Sequence, residues 1–154
     1  MEIYALGFNA GPVSDPSGVY NNLTILMGTT SLESLTDTFD ANWDDPGIQV
    51  MNQASYEISG VVPGEWFVFE LDDPYTYDGS SNLLVELTWL GPAAPPGTGS
   101  IYTWLWVTSG NRVVSANDPS ASTGFASPYC NHIRLDYDPL HLEAMTFAGI
   151  KASF

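Results

Sequence analysis

A chain of 154 residues is long enough for one domain with a sizeable core, and its formal charge of −15, from 18 acids against Arg112, Arg134 and Lys151, repels phosphate. Nucleic acid and anionic membranes are thereby poor partners, whereas cations, calcium included, would be attracted. Apolar residues make up 44% of the chain and aromatics 13%, too much buriable material for a disordered acidic chain, and no run approaches the roughly 18 apolar residues of a membrane span.

The first residues, Glu2-Ile3-Tyr4-Ala5-Leu6-Gly7-Phe8, already alternate as a strand over 2–9, with Tyr4, Leu6 and Phe8 on one face. No basic, then apolar, then small-residue leader precedes them, so the chain reads as a mature form or a segment of something longer. Gly11-Pro12 and Asp15-Pro16 then mark turns, and a second strand is expected over 22–28. Its start, Asn22-Leu23-Thr24, fits the N-glycosylation pattern and makes Asn22 a candidate attachment site if it faces outward.

Residues 30–39 are the one helical candidate. Leu32, Leu35 and Phe39 recur at helical spacing, and Ser31 could cap the N-terminus with Ser34 three residues on. Leu32 and Leu35 would serve as core pegs. Strands follow over 47–52, 55–59, 65–71 and 82–90. In the last two, Phe67, Phe69 and Leu71 share one face, as do Leu83, Val85, Leu87 and Trp89. Asp78-Gly79 should turn the chain between them with positive φ at the glycine, and Asn82 should tie the turn backbone. Asp72, Asp73, Asp78 and Asn82 are the loop oxygens that could hold a structural calcium, although the EF-hand spacing is absent.

The Pro/Gly-rich run GPAAPPGTGS over 91–100 cannot be a central strand. Beyond it a strand is expected over 100–108, with Tyr102, Trp104 and Trp106 on one face and Leu105 and Val107 on the other. Three aromatics in line can stack on sugar rings when exposed. A strand apolar on both faces is usually central or covered by another chain, and that favours burial. Short strands over 111–115 and 131–138 flank the small, polar loop 117–128. In 131–138, Ile133, Leu135 and Tyr137 should face the core, and His132, Arg134 and Asp136 the solvent. A final strand-like stretch over 144–151 carries Met145, Phe147 and Ile150.

Ten short strands with such turns predict an all-β fold, an antiparallel β-sandwich of jelly-roll type with at most one short helix near 31–39. One domain over 1–139 is expected, followed by a C-terminal strand-like extension over 140–154 that could pair with a neighbouring subunit. No nucleophile elbow, zinc helix, paired Cys-x-x-Cys or phosphate-binding glycine loop occurs, and His132 and His141 do not share a helix face. The chain therefore reads as no enzyme, with no cofactor beyond a possible structural calcium. Cys130 is alone and is expected to be a buried thiol.

A longer pattern carries a resemblance. Leu26-Met27-Gly28-Thr29-Thr30, Trp66-Phe67, and Pro74-Tyr75-Thr76-Tyr77-Asp78-Gly79-Ser80-Ser81-Asn82-Leu83-Leu84-Val85-Glu86 together resemble a jelly-roll module of large secreted and surface-anchored bacterial proteins. The likeness spans roughly residues 3 to 138 and implies a structural motif with no catalytic residues. With a single lysine and an acidic composition, it leads to the expectation of an extracellular or cell-surface, acidic structural protein and possible glycoprotein. This subunit would self-assemble into a filament, fibril, stalk or layer by inter-subunit strand pairing. Tyr4, Leu6, Phe8, Met145, Phe147 and Ile150 are its assembly candidates. The alternative is a carbohydrate-binding or adhesion module that uses Tyr102, Trp104 and Trp106.

Overall fold

The alternation along the chain is realised as ten strands in a computed structural model that describes residues 1–90 and 101–138. They are β1 (Glu2–Asn9), β2 (Ser17–Thr30), β3 (Ile48–Ser59), β4 (Trp66–Thr76), β5 (Asn82–Leu90), β6 (Leu105–Val107), β7 (Val113–Ser115), β8 (Phe125–Ser127), β9 (Tyr129–Asn131) and β10 (Ile133–Asp138). Every pairing is antiparallel. One three-stranded sheet has the order β10-β1-β4 and the other β3-β2-β5, while β6 with β9 and β7 with β8 form two-stranded ribbons.

The two three-stranded sheets form a sandwich because each offers one apolar face. Ile3, Leu6 and Phe8 of β1 and Phe67, Phe69 and Tyr75 of β4 meet Leu23, Ile25 and Met27 of β2 and Val50, Met51 and Ile58 of β3 in one buried cluster. Phe69, 2% exposed, sits at its centre. Its ring lies 5.7 Å from Tyr20, 5.5 Å from Tyr56 and about 6.0 Å from both Phe8 and Phe67. Leu71, Leu83, Val85, Leu87 and Leu135 pack against this cluster as expected. Trp89, Ile133 and Tyr137 do not join the core as expected. They are 40–49% exposed because they lie on the outer strands β5 and β10, with Trp89 edge-on to the Tyr20 ring at 5.6 Å.

Bulges explain where simple alternation fails. Tyr4 is an extra residue in β1, since Ile3 pairs with Tyr137 and Ala5 with Asp136. It is therefore lifted to the surface while Leu6 and Phe8 point inward. Against β1, the stretch from Glu70 to Tyr75 in β4 matches only Ala5 to Ile3, so residues 71–74 loop out of the ladder. That bulge accommodates Pro74, which has no N–H to give a ladder, and lets β4 continue beyond the predicted end at Leu71. The predicted strands 47–52 and 55–59 are one strand, β3. A register shift there opposite Ile25 and Leu26 lets both Val50 and Met51 face inward.

Two expectations are corrected by topology. β1 is the central strand of its sheet, hydrogen-bonded to β10 and β4. Tyr4, Leu6 and Phe8 thus belong to the body of the domain and not to a strand free for exchange. The helix expected over 30–39 does not form, and the only helical residues described are the 3₁₀ turn Asp40–Asn42. The segment's N–H groups find distant partners instead: Leu35 donates to the Asn111 carbonyl and Phe39 to that of Ser122. Its Ser, Thr and Asp side chains compete with helical bonding. Ser31, the expected cap, donates to the Asp44 carboxylate from both N and Oγ.

This segment is locked by one buried amide. Asn42 accepts from Thr36 N at 2.8 Å and from Thr36 Oγ1 at 3.2 Å, and donates to the Thr36 and Thr38 carbonyls at 3.1 and 3.0 Å. β8 lies inside the small, polar stretch 117–128 that the sequence pattern reads as a loop. It pairs with β7, and Gly124 just before it approaches Ser115 O so closely that a Cβ would sit 2.6 Å away.

Candidate functional site: an open aromatic ribbon

The ribbon β6–β9 grows out of the end of β1. Gly11 N donates to the Tyr102 carbonyl at 2.8 Å, Trp104 N donates to the Asn9 carbonyl at 2.9 Å, and His132 N donates to the Trp104 carbonyl at 2.9 Å. Ser14 Oγ also donates to Tyr102 O, and Thr103 Oγ1 donates to Asn131 Oδ1 at 2.6 Å. These bonds fix the root of the ribbon to the sandwich. Beyond the root, Leu105 pairs with Asn131, Trp106 with Cys130 and Val107 with Tyr129.

Strand geometry sorts the side chains onto two faces. Tyr102, Trp104 and Trp106 share one with Cys130 and His132, whose ring centroid lies 5.1 Å from that of Trp106. Leu105 and Val107 share the other with Tyr129. Both faces are open: Trp104 is 44% exposed, Trp106 57%, Tyr129 54% and Val107 71%. The expected burial of Tyr102, Trp104 and Trp106 is therefore wrong. Period-two hydrophobicity on both faces indicated a covered strand, but no described layer packs over this one. Cys130, expected to be buried, is half-buried and free, and His132 is half-buried beside Trp106 instead of standing in plain solvent. Phe125, on β8, is a further exposed aromatic that the sequence pattern did not single out.

The remaining candidates are dispersed. Asp72 accepts from Asn52 N at 2.8 Å and Gln53 Nε2 at 2.5 Å, so it bridges the β4 bulge to β3. Asp78 accepts from Ser80 N, Ser81 N and Ser81 Oγ, and the Ser80 N–H above all holds its carboxyl well below the usual carboxylate range. Gly79 next to it has φ +79°, the expected left-handed turn. Asn82 does not tie that turn as expected, because its Nδ2 reaches the Leu32 carbonyl at 3.3 Å. Among the described residues, no three His, Cys, Asp or Glu side chains gather around one point that could hold a metal ion. The calcium set Asp72, Asp73, Asp78 and Asn82 is thus not assembled there.

Asn22 is exposed, has φ +48°, and sits where the β2–β5 register slips between Asn21 and Thr24. The bulge turns its side chain outward, which is the condition that glycan attachment at Asn22 requires. Glu86 is half-buried on the outer face of β5. Burial pushes its carboxyl up, Asp40 adds to the rise, and the Trp43 indole opposes it. The described residues form shallow concavities. One of about 310 Å³ is lined by Leu32, Leu35, Tyr77, Asn82 and Arg112, and one of about 410 Å³ by Tyr4, Val68, Glu70, Leu71 and Asp136. Met145, Phe147, Ile150 and His141 lie outside the described residues.

Comparison with protein-family models, with curated proteins and with solved structures finds no match to this chain.

Proposed function

We propose that this chain is a non-catalytic structural subunit of the cell exterior, a jelly-roll-type module that assembles into a filament, stalk or layer by strand pairing between subunits. The observation that carries this reading is the β6–β9 ribbon, apolar on both faces and open on both. A lone two-stranded ribbon has little stability of its own, and apolar surface on both of its sides is satisfied by a covering chain. Residues 140–154, with Met145, Phe147 and Ile150, are the second proposed assembly element. An acidic composition with one lysine, and an outward Asn22 in an Asn-Leu-Thr sequence, fit an exported protein. Sedimentation and electron microscopy of the purified chain test the reading. Concentration-dependent oligomers or ordered fibres are expected, and a strictly monodisperse monomer at the highest soluble concentration refutes it.

A second reading has its own observation. Tyr102, Trp104 and Trp106 stand exposed along one side, an arrangement on which sugar rings can stack. Affinity electrophoresis in neutral polysaccharide gels decides: retardation lost in Trp104→Ala and Trp106→Ala supports adhesion to glycans, and unaltered migration of the parent chain removes it.

A further inference from the structure

We infer that the β6 edge is where one copy of this chain meets another, antiparallel, across a two-fold axis. The inference rests on the assembly reading above and adds the partner, the surface and the symmetry. Its first ground is charge. Of the 18 acids, only Asp118 lies between Leu87 and Leu135, and no Lys or Arg other than Arg112 and Arg134 occurs from Leu87 to Asp138. The strands β6 and β9 carry no charged residue at all. Two copies at −15 each repel one another through most of their surfaces. Against the neutral ribbon a like copy can approach without desolvating a carboxylate. A basic partner, by contrast, would be drawn to the acidic faces elsewhere.

The second ground is the open edge. Among the described residues β6 pairs with β9 alone, so no described strand takes up the backbone groups of its other edge. The edge residues Leu105-Trp106-Val107 include no Pro, no Lys and no other charge that would block a further strand. Antiparallel pairing of β6 with its copy makes a four-stranded sheet in the order β9-β6-β6-β9. Leu105 and Val107 of both copies then meet on one face, and the two Trp106 rings on the other. The contact is isologous and closes on itself, so it produces a pair. A longer polymer then needs a different second contact.

Sedimentation equilibrium of the full chain over a salt series provides the test. The parent chain is expected to dimerise, more tightly as salt rises, because screening removes the repulsion while the neutral contact is untouched. Val107→Glu and Leu105→Glu, both exposed positions, should weaken the dimer by at least about tenfold with an unchanged thermal midpoint. Val62→Glu, an exposed apolar position outside β6 and β9, should leave it as it was. Hydrogen exchange needs no variant: the Leu105 and Val107 amides should gain protection as protein concentration rises. If the parent chain associates but Val107→Glu and Leu105→Glu associate as tightly, or those two amides gain nothing, this contact is overturned while the assembly reading stands. Association that falls with salt also overturns it, since charges then make the contact. A parent chain that stays monomeric throughout overturns both.

Discussion

The sandwich body and the β6–β9 ribbon are built from the same kinds of residue and end in opposite environments. Phe67 and Phe69 alternate with Trp66, Val68 and Glu70, and the alternation is resolved by burying one face. Trp104 and Trp106 alternate with Leu105 and Val107, and neither face is buried. The difference lies in neighbours. β1 and β2 each have hydrogen-bonded strands on both sides and a second sheet beneath, whereas β6 has one partner of three residues and no opposing layer among the described residues. Apolar side chains in the body stabilise the monomer. In the ribbon they are available to something else.

The largest effect should come from the body. Phe69→Ala removes the ring at the centre of the core and should destabilise by about 3–5 kcal/mol in chemical denaturation. A loss well under about 1 kcal/mol would place Phe69 in the same class as the ribbon aromatics and erase the contrast. Asn42→Ala strips the partners from two carbonyls, an N–H and a hydroxyl, and should cost about 2–3 kcal/mol. A value near zero would mean that water replaces the amide and that the 31–44 segment is held by its other bonds.

Gly79→Val tests the turn between the two sheets. With φ at +79°, a β-branched residue should lower stability by about 1–2 kcal/mol, read as a fall in thermal midpoint. Smaller and pH-dependent is the response of Glu86→Gln. The folded protein holds the Glu86 proton more tightly than the unfolded chain does, so its contribution is fully present below the ordinary glutamate range. That contribution is lost as pH rises through the raised value. The variant should therefore be more stable than the parent at neutral pH and gain nothing in acid. Equal melting curves at both pH values would show Glu86 to be solvated. Trp106→Ala sharpens the comparison most, because it should change monomer stability by no more than about 0.5 kcal/mol despite the loss of an indole. A large loss would make the ribbon part of the core.

How much of this was legible can be seen at individual residues. The strand of Glu2–Asn9 and that of Asn82–Leu90 were predicted to the residue, because unbroken alternation bounded by turn residues is a local signal. The turn at Asp78-Gly79 was equally local, since an Asp side chain and a glycine φ suffice to make it. Tyr4 was assigned to the face of Leu6 and Phe8 and went to the other, because a bulge is specified by the strands alongside and not by the strand that bulges. The helix over 30–39 failed for a similar reason. Its leucine spacing was real, but hydrogen bonds donated to the carbonyls of Asn111 and Ser122, more than 70 residues away, outcompeted the helical ones. At the candidate site, the sequence located the aromatics at 102, 104 and 106 and mistook their exposure.

From the sequence alone came the strand-and-turn grammar, the all-β antiparallel class, the acidic surface and the lack of familiar catalytic motifs. Each of these depends on a residue's own chemistry or on neighbours within a few positions. Tertiary structure alone decided that β1 is the central strand of its sheet, paired on both edges. It also decided that Asn42 is a buried clamp, and that the aromatic run of β6 stands in the open. Burial is a property of what lies opposite, and opposite partners here are set by pairings between segments far apart in the chain, which no local pattern encodes.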